Sequence, residues 1–157
     1  MGRFSTKDLE DYMKSRKIEG EIIYLKPGEA RTSIAAARAI KCSIGEIAKN
    51  IILVGSRGSK LIVVTSGDRK VDLEKVSNLF SEKFRLATPS EILEETGYSV
   101  GGVPPFGHLK PIRTIVDQSL KRYEYVYTSG GSEDTLMKIK VEELIKACGG
   151  EVLDLSI

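Results

Sequence analysis

Lys49-Asn-Ile-Ile-Leu-Val54 and Leu61-Ile-Val-Val64, separated by Gly55-Ser-Arg-Gly-Ser59, decide how the chain is read. Two unbroken apolar runs joined by a glycine- and serine-rich turn describe a hairpin of central strands covered on both faces, the core of a sheet. Upstream, Ser43-Ile-Gly-Glu46 is a capping-box pattern that opens a short helical turn and hands over directly to Lys49, which therefore stands where helix becomes strand. Downstream, Asp72 caps a helix with Leu73, Val76, Leu79 and Phe80 on its inner face. Thr88-Pro-Ser-Glu91 opens a second helix with proline at its first position, and Gly97 ends it.

The same signals extend to both ends of the chain. Ser5 to Asp8 forms a capping box, with Phe4 and Leu9 placed as a hydrophobic staple, and Leu9, Tyr12 and Met13 share one face of a helix that ends before Gly20. Residues 21–26 read as a strand closed by Pro27-Gly28, and Thr32 or Ser33 caps an alanine-rich helix running to about Lys41. Residues 112–116 form a short strand, and Tyr123, Tyr125 and Tyr127 alternate along another. Leu136 to Val141 alternates again, Glu142 to Ala147 is helical with Gly149 as its left-handed stop, and residues 151–155 read as a final strand. Strands and helices mix without regular βαβ alternation. The expectation is one α+β domain over residues 1–157, with a central mixed or antiparallel sheet flanked by helices.

Composition narrows the function classes. The 157 residues suit one domain with a real core. Charged residues are 29% and hydrophobic residues 41% of the chain, values of a soluble globular protein, and no apolar run approaches membrane-spanning length. The N-terminal segment lacks the apolar core of an export signal, so the expected address is cytoplasmic. Cys42 and Cys148 stand far apart with no partner at metal-ligand spacing, which supports neither a disulfide framework nor a zinc site. A formal charge of +2 neither demands nor forbids a polyanionic partner, so any nucleic-acid contact has to be local. No dinucleotide fingerprint, P-loop, HExxH or paired-carboxylate signature is present.

Four stretches are candidates for chemistry. In Thr96-Gly-Tyr-Ser-Val-Gly-Gly-Val-Pro-Pro-Phe-Gly-His108, the glycines permit positive φ and close backbone approach, while Pro104 and Pro105 fix φ and remove two donors. That rigidity fits a ligand-holding loop or a purely structural turn. Lys49 either reaches solvent or meets an anionic or carbonyl partner. Ser129-Gly130-Gly131 fits an anion nest or a plain hairpin turn, and Gly67-Asp-Arg-Lys70 a phosphate contact or a charged turn. The alternating tyrosines could stack bases, although packing one strand face inward is the commoner use. His108 is the single histidine, and no activated nucleophile lies near it in sequence, which argues against a nucleophilic triad or a general esterase built on it.

Taken together, these pieces resemble the YbaK/prolyl-tRNA synthetase editing-domain family of aminoacyl-tRNA deacylases, over roughly Thr32 to Leu155. The resemblance rests on Cys42 to Lys49 with its following apolar strand, Leu61-Ile-Val-Val64 with Gly67-Asp-Arg-Lys-Val-Asp-Leu73, Thr96-Gly-Tyr98 with Gly101-Gly-Val-Pro-Pro-Phe-Gly107, and Ser129-Gly-Gly131. It implies hydrolysis of the ester joining a wrong, small amino acid such as alanine or cysteine to the terminal adenosine of a tRNA. The family lysine falls on Lys49, whose charge would hold the terminal phosphate or the aminoacyl end. The glycine-rich loop falls on Gly101 to Gly107, with the backbone of Gly101 and Gly102 placing the attacking water or stabilising the oxyanion. Thr32, Val103, Pro104, Phe106, Gly107, His108, Ser129, Gly130 and Gly131 are the implied substrate contacts. The resemblance further implies no metal or cofactor, help to the water from the vicinal ribose hydroxyl, the acceptor end of an aminoacyl-tRNA as partner, and prolyl-tRNA synthetase as the associated synthetase. Some members carry an acidic residue after Ser-Gly-Gly where this chain has Leu136, with Asp134 nearby. The competing expectation is a non-catalytic module that binds an aminoacyl or nucleotide ligand in the same pocket.

Overall fold

The expected hairpin is the spine of the molecule. In the computed structural model, which describes residues 3–157, helix α1 (Thr6–Arg16) and strand β1 (Glu21–Tyr24) lead into helix α2 (Ser33–Ile40) and a 3₁₀ turn at Ile44–Glu46. Strands β2 (Ala48–Gly55) and β3 (Lys60–Ser66) then pair antiparallel along their lengths. Side chains alternate across them as the pleat requires. Ala48, Ile52, Ile62 and Val64 enter one core with Leu9, Tyr98 and Met137, while Leu53, Leu61 and Val63 enter another with Val76, Phe84 and Leu155. Each face of the hairpin is covered, which is why its residues read as continuous apolar runs.

Helix α3 (Leu73–Phe80), strand β4 (Phe84–Leu86) and helix α4 (Pro89–Thr96) follow, then strand β5 (Arg113–Asp117), a 3₁₀ turn at Gln118–Arg122 and strand β6 (Tyr125–Ser129). Strand β7 (Thr135–Lys140), helix α5 (Val141–Ala147) and a two-residue strand β8 (Val152–Leu153) complete the chain. Caps form where the sequence places them. Asp72 accepts from the amides of Glu74 and Lys75, Thr88 from that of Glu91, and Thr32, one of two candidates, from that of Ala35.

The α+β class holds, but the strands form two sheets rather than one. One is three-stranded in the order β1-β7-β6 and antiparallel; the other is five-stranded, β4-β2-β3-β5-β8, with β3, β5 and β8 parallel. A single parallel bridge between Ile47 and Tyr127 links them. Three local expectations change. Leu79 points outward at 52% exposure, because the inner face of α3 is carried by Leu73, Val76 and Phe80. Strand β6 begins at Tyr125, since Tyr123 ends a 3₁₀ turn, and its buried residues are Val126 and Thr128 rather than the tyrosines. Strand β4 was not anticipated from sequence: three residues are too few to show a period. Among the described residues, no helix is long and apolar enough to cross a membrane.

Candidate functional site

Strand β2 has β3 along one whole edge, but on its other edge β4 pairs only with Leu53 to Gly55, and the backbone bridge to β6 falls at Ile47, just before β2 begins. The stretch between is where the two sheets diverge, and a cleft of about 290 Å³ opens there. Lys49 and Asn50 of β2 lie on one wall, with Thr32 and Ser33 at the start of α2, Gly101 and Val103 of the rigid loop, and Thr128 and Ser129 of β6 around them. The rest of the lining is mostly apolar, with Ala30, Ala36, Ala48 and Ala87 set among Ile47, Ile52, Ile92 and Leu136.

The charges of this lining are of one sign. Arg31 and Lys49 are its cations, and no carboxylate, imidazole or thiol lines it. Burial pushes the Lys49 ammonium below the ordinary lysine range, Asp68 partly offsets that, and Lys70 adds to it. Among the described residues no carboxylate lies within ion-pair distance of Lys49, whereas Arg31 is held by Glu133 at 3.0 Å. A half-buried ammonium without a partner anion favours an anionic ligand.

Asn50, not among the candidates from sequence, ties the site together. Its Nδ2 donates to the Val103 carbonyl at 2.9 Å and to Thr128 Oγ1 at 2.8 Å, joining β2, the loop and β6. Because a carbonyl can only accept, the amide orientation is set, and the buried Oδ1 is left with no partner among the described residues. The available signal is a second polar residue, next to Lys49, at the head of an otherwise apolar strand.

The rigid loop divides between two places. Ser99 to Gly102 is a turn closed by the Gly102 amide donating to the Ser99 carbonyl at 2.9 Å, with Gly101 at φ +86°. The Gly102 amide is thereby engaged, while that of Gly101 has no partner among the described residues. A Cβ on Gly102 would stand 3.0 Å from Ser132 Cα, so glycine there lets two backbones touch. Farther on, Phe106, Gly107 and His108 line a different cavity with Tyr12 and Cys148. Phe106 stacks on Tyr12 at 5.9 Å, and His108 Nε2 donates to the buried Pro104 carbonyl at 2.7 Å. Burial lowers the His108 pKa and raises that of Cys148 to about 12, so this cavity holds a neutral imidazole and a neutral thiol near neutral pH.

The remaining candidates separate similarly. Thr32 borders the cleft while its hydroxyl caps α2 at 3.1 Å. Ser129 also borders it, but the Gly130 amide donates to Thr135 O and the Gly131 amide to Ser129 Oγ. Those two glycines pack the β6–β7 turn against Thr135 and the start of α1, which is the hairpin-turn reading rather than an open nest. Asp134 accepts from the Gly28 amide at 2.8 Å and lies outside the cleft, whose wall at that point is the buried Leu136. Among the described residues, no three His, Cys, Asp or Glu side chains gather as a metal site would require.

The chain is similar to several known proteins. Residues 27–147 match the family described as "Aminoacyl-tRNA editing domain". The uncharacterized protein YwhH of Bacillus subtilis (strain 168) is 31% identical over 140 residues, covering 89% of this chain and 88% of the relative. A proline–tRNA ligase of Thermosipho africanus (strain TCF52B) is 30% identical over 124 residues, 78% of this chain but 22% of the ligase, so the match spans about a fifth of that enzyme. A crystal structure described as "a putative trans-editing enzyme for prolyl tRNA synthetase" superposes with a TM-score of 0.89 at 32% identity, over 97% of this chain and 96% of the other.

Proposed function

From the premise that the chain belongs to the aminoacyl-tRNA editing domain family, we propose that it is a trans-acting deacylase hydrolysing the ester of a tRNA charged with a wrong, small amino acid. The observation that carries this reading is the cleft itself: an apolar cavity of about 290 Å³ lined by an ammonium with no ion pair among the described residues and by the backbone of a rigid turn.

In this reading the terminal adenosine enters over Lys49, whose ammonium holds its phosphate, and the aminoacyl group lies against the apolar lining. The alanines leave space for a short aminoacyl side chain, and Ile47, Ile52, Ile92 and Leu136 bound that space against a long one, which favours alanyl or cysteinyl esters. Asn50 Oδ1 accepts from a substrate hydroxyl or ammonium. The Gly101 amide faces the carbonyl oxygen, the backbone role that Gly102 cannot share while its amide closes the turn. Arg31 and Lys49 are the titratable groups of the lining, and both are cations. The water adds to the ester carbonyl, the bond to the ribose oxygen breaks, and the neighbouring ribose hydroxyl relays the water's proton to that departing oxygen, leaving free amino acid and a free tRNA end. Prolyl-tRNA synthetase is the proposed associated synthetase, and tRNA-Pro the first substrate to examine.

The test is a panel of mischarged tRNAs, with alanyl- and cysteinyl-tRNA-Pro first. Release of the amino acid from one or more, with correctly charged prolyl-tRNA-Pro spared, is the expected result. If every member stays charged, the cleft binds its ligand without hydrolysing it.

A further inference from the structure

Two neighbourhoods of the cleft differ in the charge they leave free. Helix α4, whose Ile92 lines the cleft, carries Glu91, Glu94 and Glu95, Glu91 held by Arg85 and the other two by Lys110. The other neighbourhood is the turn after β3. Its Gly67 amide donates to the Ile47 carbonyl at 2.6 Å, one residue from the start of β2, and a Cβ on Gly67 would lie 3.2 Å from Ser33 Cβ on the cleft wall. The turn is therefore anchored to the mouth from both sides.

From that turn the exposed Arg69 and Lys70 project, and beyond them a shallow depression of about 580 Å³ is lined by Arg69, Lys75, Lys121 and Arg122. Two of these cations are already neutralised: Lys75 by Asp154 at 3.1 Å, and Arg122 by a two-pronged contact with Asp68 at 2.8 and 3.1 Å. Arg69 approaches Asp68 only at 3.9 Å. Lys70 and Lys121 have no ion pair among the described residues. The Arg122–Asp68 pair fixes the shape of the turn, and Arg69, Lys70 and Lys121 remain as charge for a partner.

Resting on the deacylase reading, we propose that Arg69, Lys70 and Lys121 form an exit track for the phosphodiester backbone of the RNA strand whose 3′ end occupies the cleft. A strand leaving past α4 meets charges already paired with one another, Arg85 with Glu91 and Lys110 with Glu94 and Glu95; one leaving past the Gly67–Lys70 turn meets the loosely held Arg69 and then Lys70 and Lys121. The hydrogen bond from Gly67 to Ile47 ties the start of the track to a point two residues from Lys49 in the chain. The track recognises phosphates, not bases, and so supplies affinity common to many tRNAs.

Binding of uncharged tRNA is measured by fluorescence anisotropy across a salt series, and deacylation is measured on full-length mischarged tRNA and on the same amino acid esterified to a CCA trinucleotide. The proteins compared are the wild type, Lys70→Ala/Lys121→Ala, Arg69→Ala, and a control pair, Lys14→Ala/Lys146→Ala, exposed on α1 and α5. For the track variants, the slope of log affinity against log salt should shrink by about 0.7 to 0.9 per cation removed. KM for full-length tRNA should rise several-fold at unchanged kcat, the trinucleotide ester should be hydrolysed as by the wild type, and the control pair should match the wild type throughout. Wild-type tRNA affinity and salt slope in the track variants would overturn the track, as would equal weakening in the control pair. Should the wild type hydrolyse neither ester, the deacylase reading fails, and the binding series still decides whether these cations carry RNA.

Discussion

At the scale of single residues, Lys49 and Asn50 divide the work of the cleft between charge and geometry. Lys49 is an ammonium held partly out of water with no ion pair among the described residues, whereas Asn50 spends both amide hydrogens on Val103 and Thr128 and keeps its oxygen. Lys49→Ala should reduce deacylation by about a hundredfold or more, the scale expected when a positioning contact is lost. Its circular dichroism and melting temperature should stay near those of the wild type. His108→Ala, which acts in the neighbouring cavity, should retain turnover; equal loss in both variants would move the chemistry away from β2. The pH profile adds a sign. Because burial lowers the Lys49 pKa, the cation is present below that value and lost as pH rises through it. Activity should therefore decline on the alkaline side before an ordinary lysine would titrate, and Lys49→Arg should remove that limb if charge is what matters. Lys49 was visible in the sequence as a cation at the mouth of an apolar strand. Asn50 was not singled out, because its role depends on partners 53 and 78 residues away.

At the scale of elements, the turn from Ser99 to Gly102 is held from behind. Gly102 meets the backbone of Ser132 and not a flexible side chain, so an added methyl has nothing soft to displace. Gly102→Ala should cost about 1–3 kcal/mol of stability, the usual range for overpacking, and should lower kcat by shifting Gly101 and Val103. Gly58→Ala in the β2–β3 turn is the matched contrast. There φ is +88° and nothing lies within 4 Å, so it should show only a backbone penalty of about 1 kcal/mol and full activity. Thermal melts and turnover of the two variants decide the point; equal activity in both would mean that the loop does not position substrate. The rigidity of this loop was legible from its glycines and prolines. Its division between two cavities was not, because Tyr12 of α1 claims Phe106 and Gly107 by packing.

At the scale of the whole molecule, several carboxylates tie distant segments together. Asp117 is fully buried. It accepts from the Leu155 amide at 2.7 Å, Ser156 Oγ at 2.8 Å and the Ser119 amide at 3.1 Å, fastening the C-terminal segment to β5. Burial pushes its pKa up, but these hydrogen bonds outweigh it and hold the group below the ordinary value. Arg122 holds Asp68, and Arg85 holds Glu91, each at about 2. Folded values below unfolded ones mean that the folded state binds fewer protons. This stabilisation is then complete above the ordinary carboxylate range near about 4 and is lost as pH falls towards the folded values. Urea midpoints should hold level from neutral pH to mild acid and drop between roughly pH 4 and 2, and a flat profile there would contradict the assignment. Asp117→Asn should lower stability at neutral pH and flatten the acid drop.

The amino-acid sequence alone determined the features that local physics controls: helix starts set by capping side chains, the doubly covered hairpin set by its apolar runs, the rigid loop set by glycine and proline, and the α+β class that follows from their order. Tertiary structure alone decided that the strands split into two sheets joined at Ile47 and Tyr127, that the split opens beside Lys49, and that Asn50 spans it. It also decided which backbone amides stay open at the cleft. The physical reason is range. A cap or a strand period is complete within a few residues, but a cleft exists only where segments remote in sequence approach and one pairing edge is left unfilled.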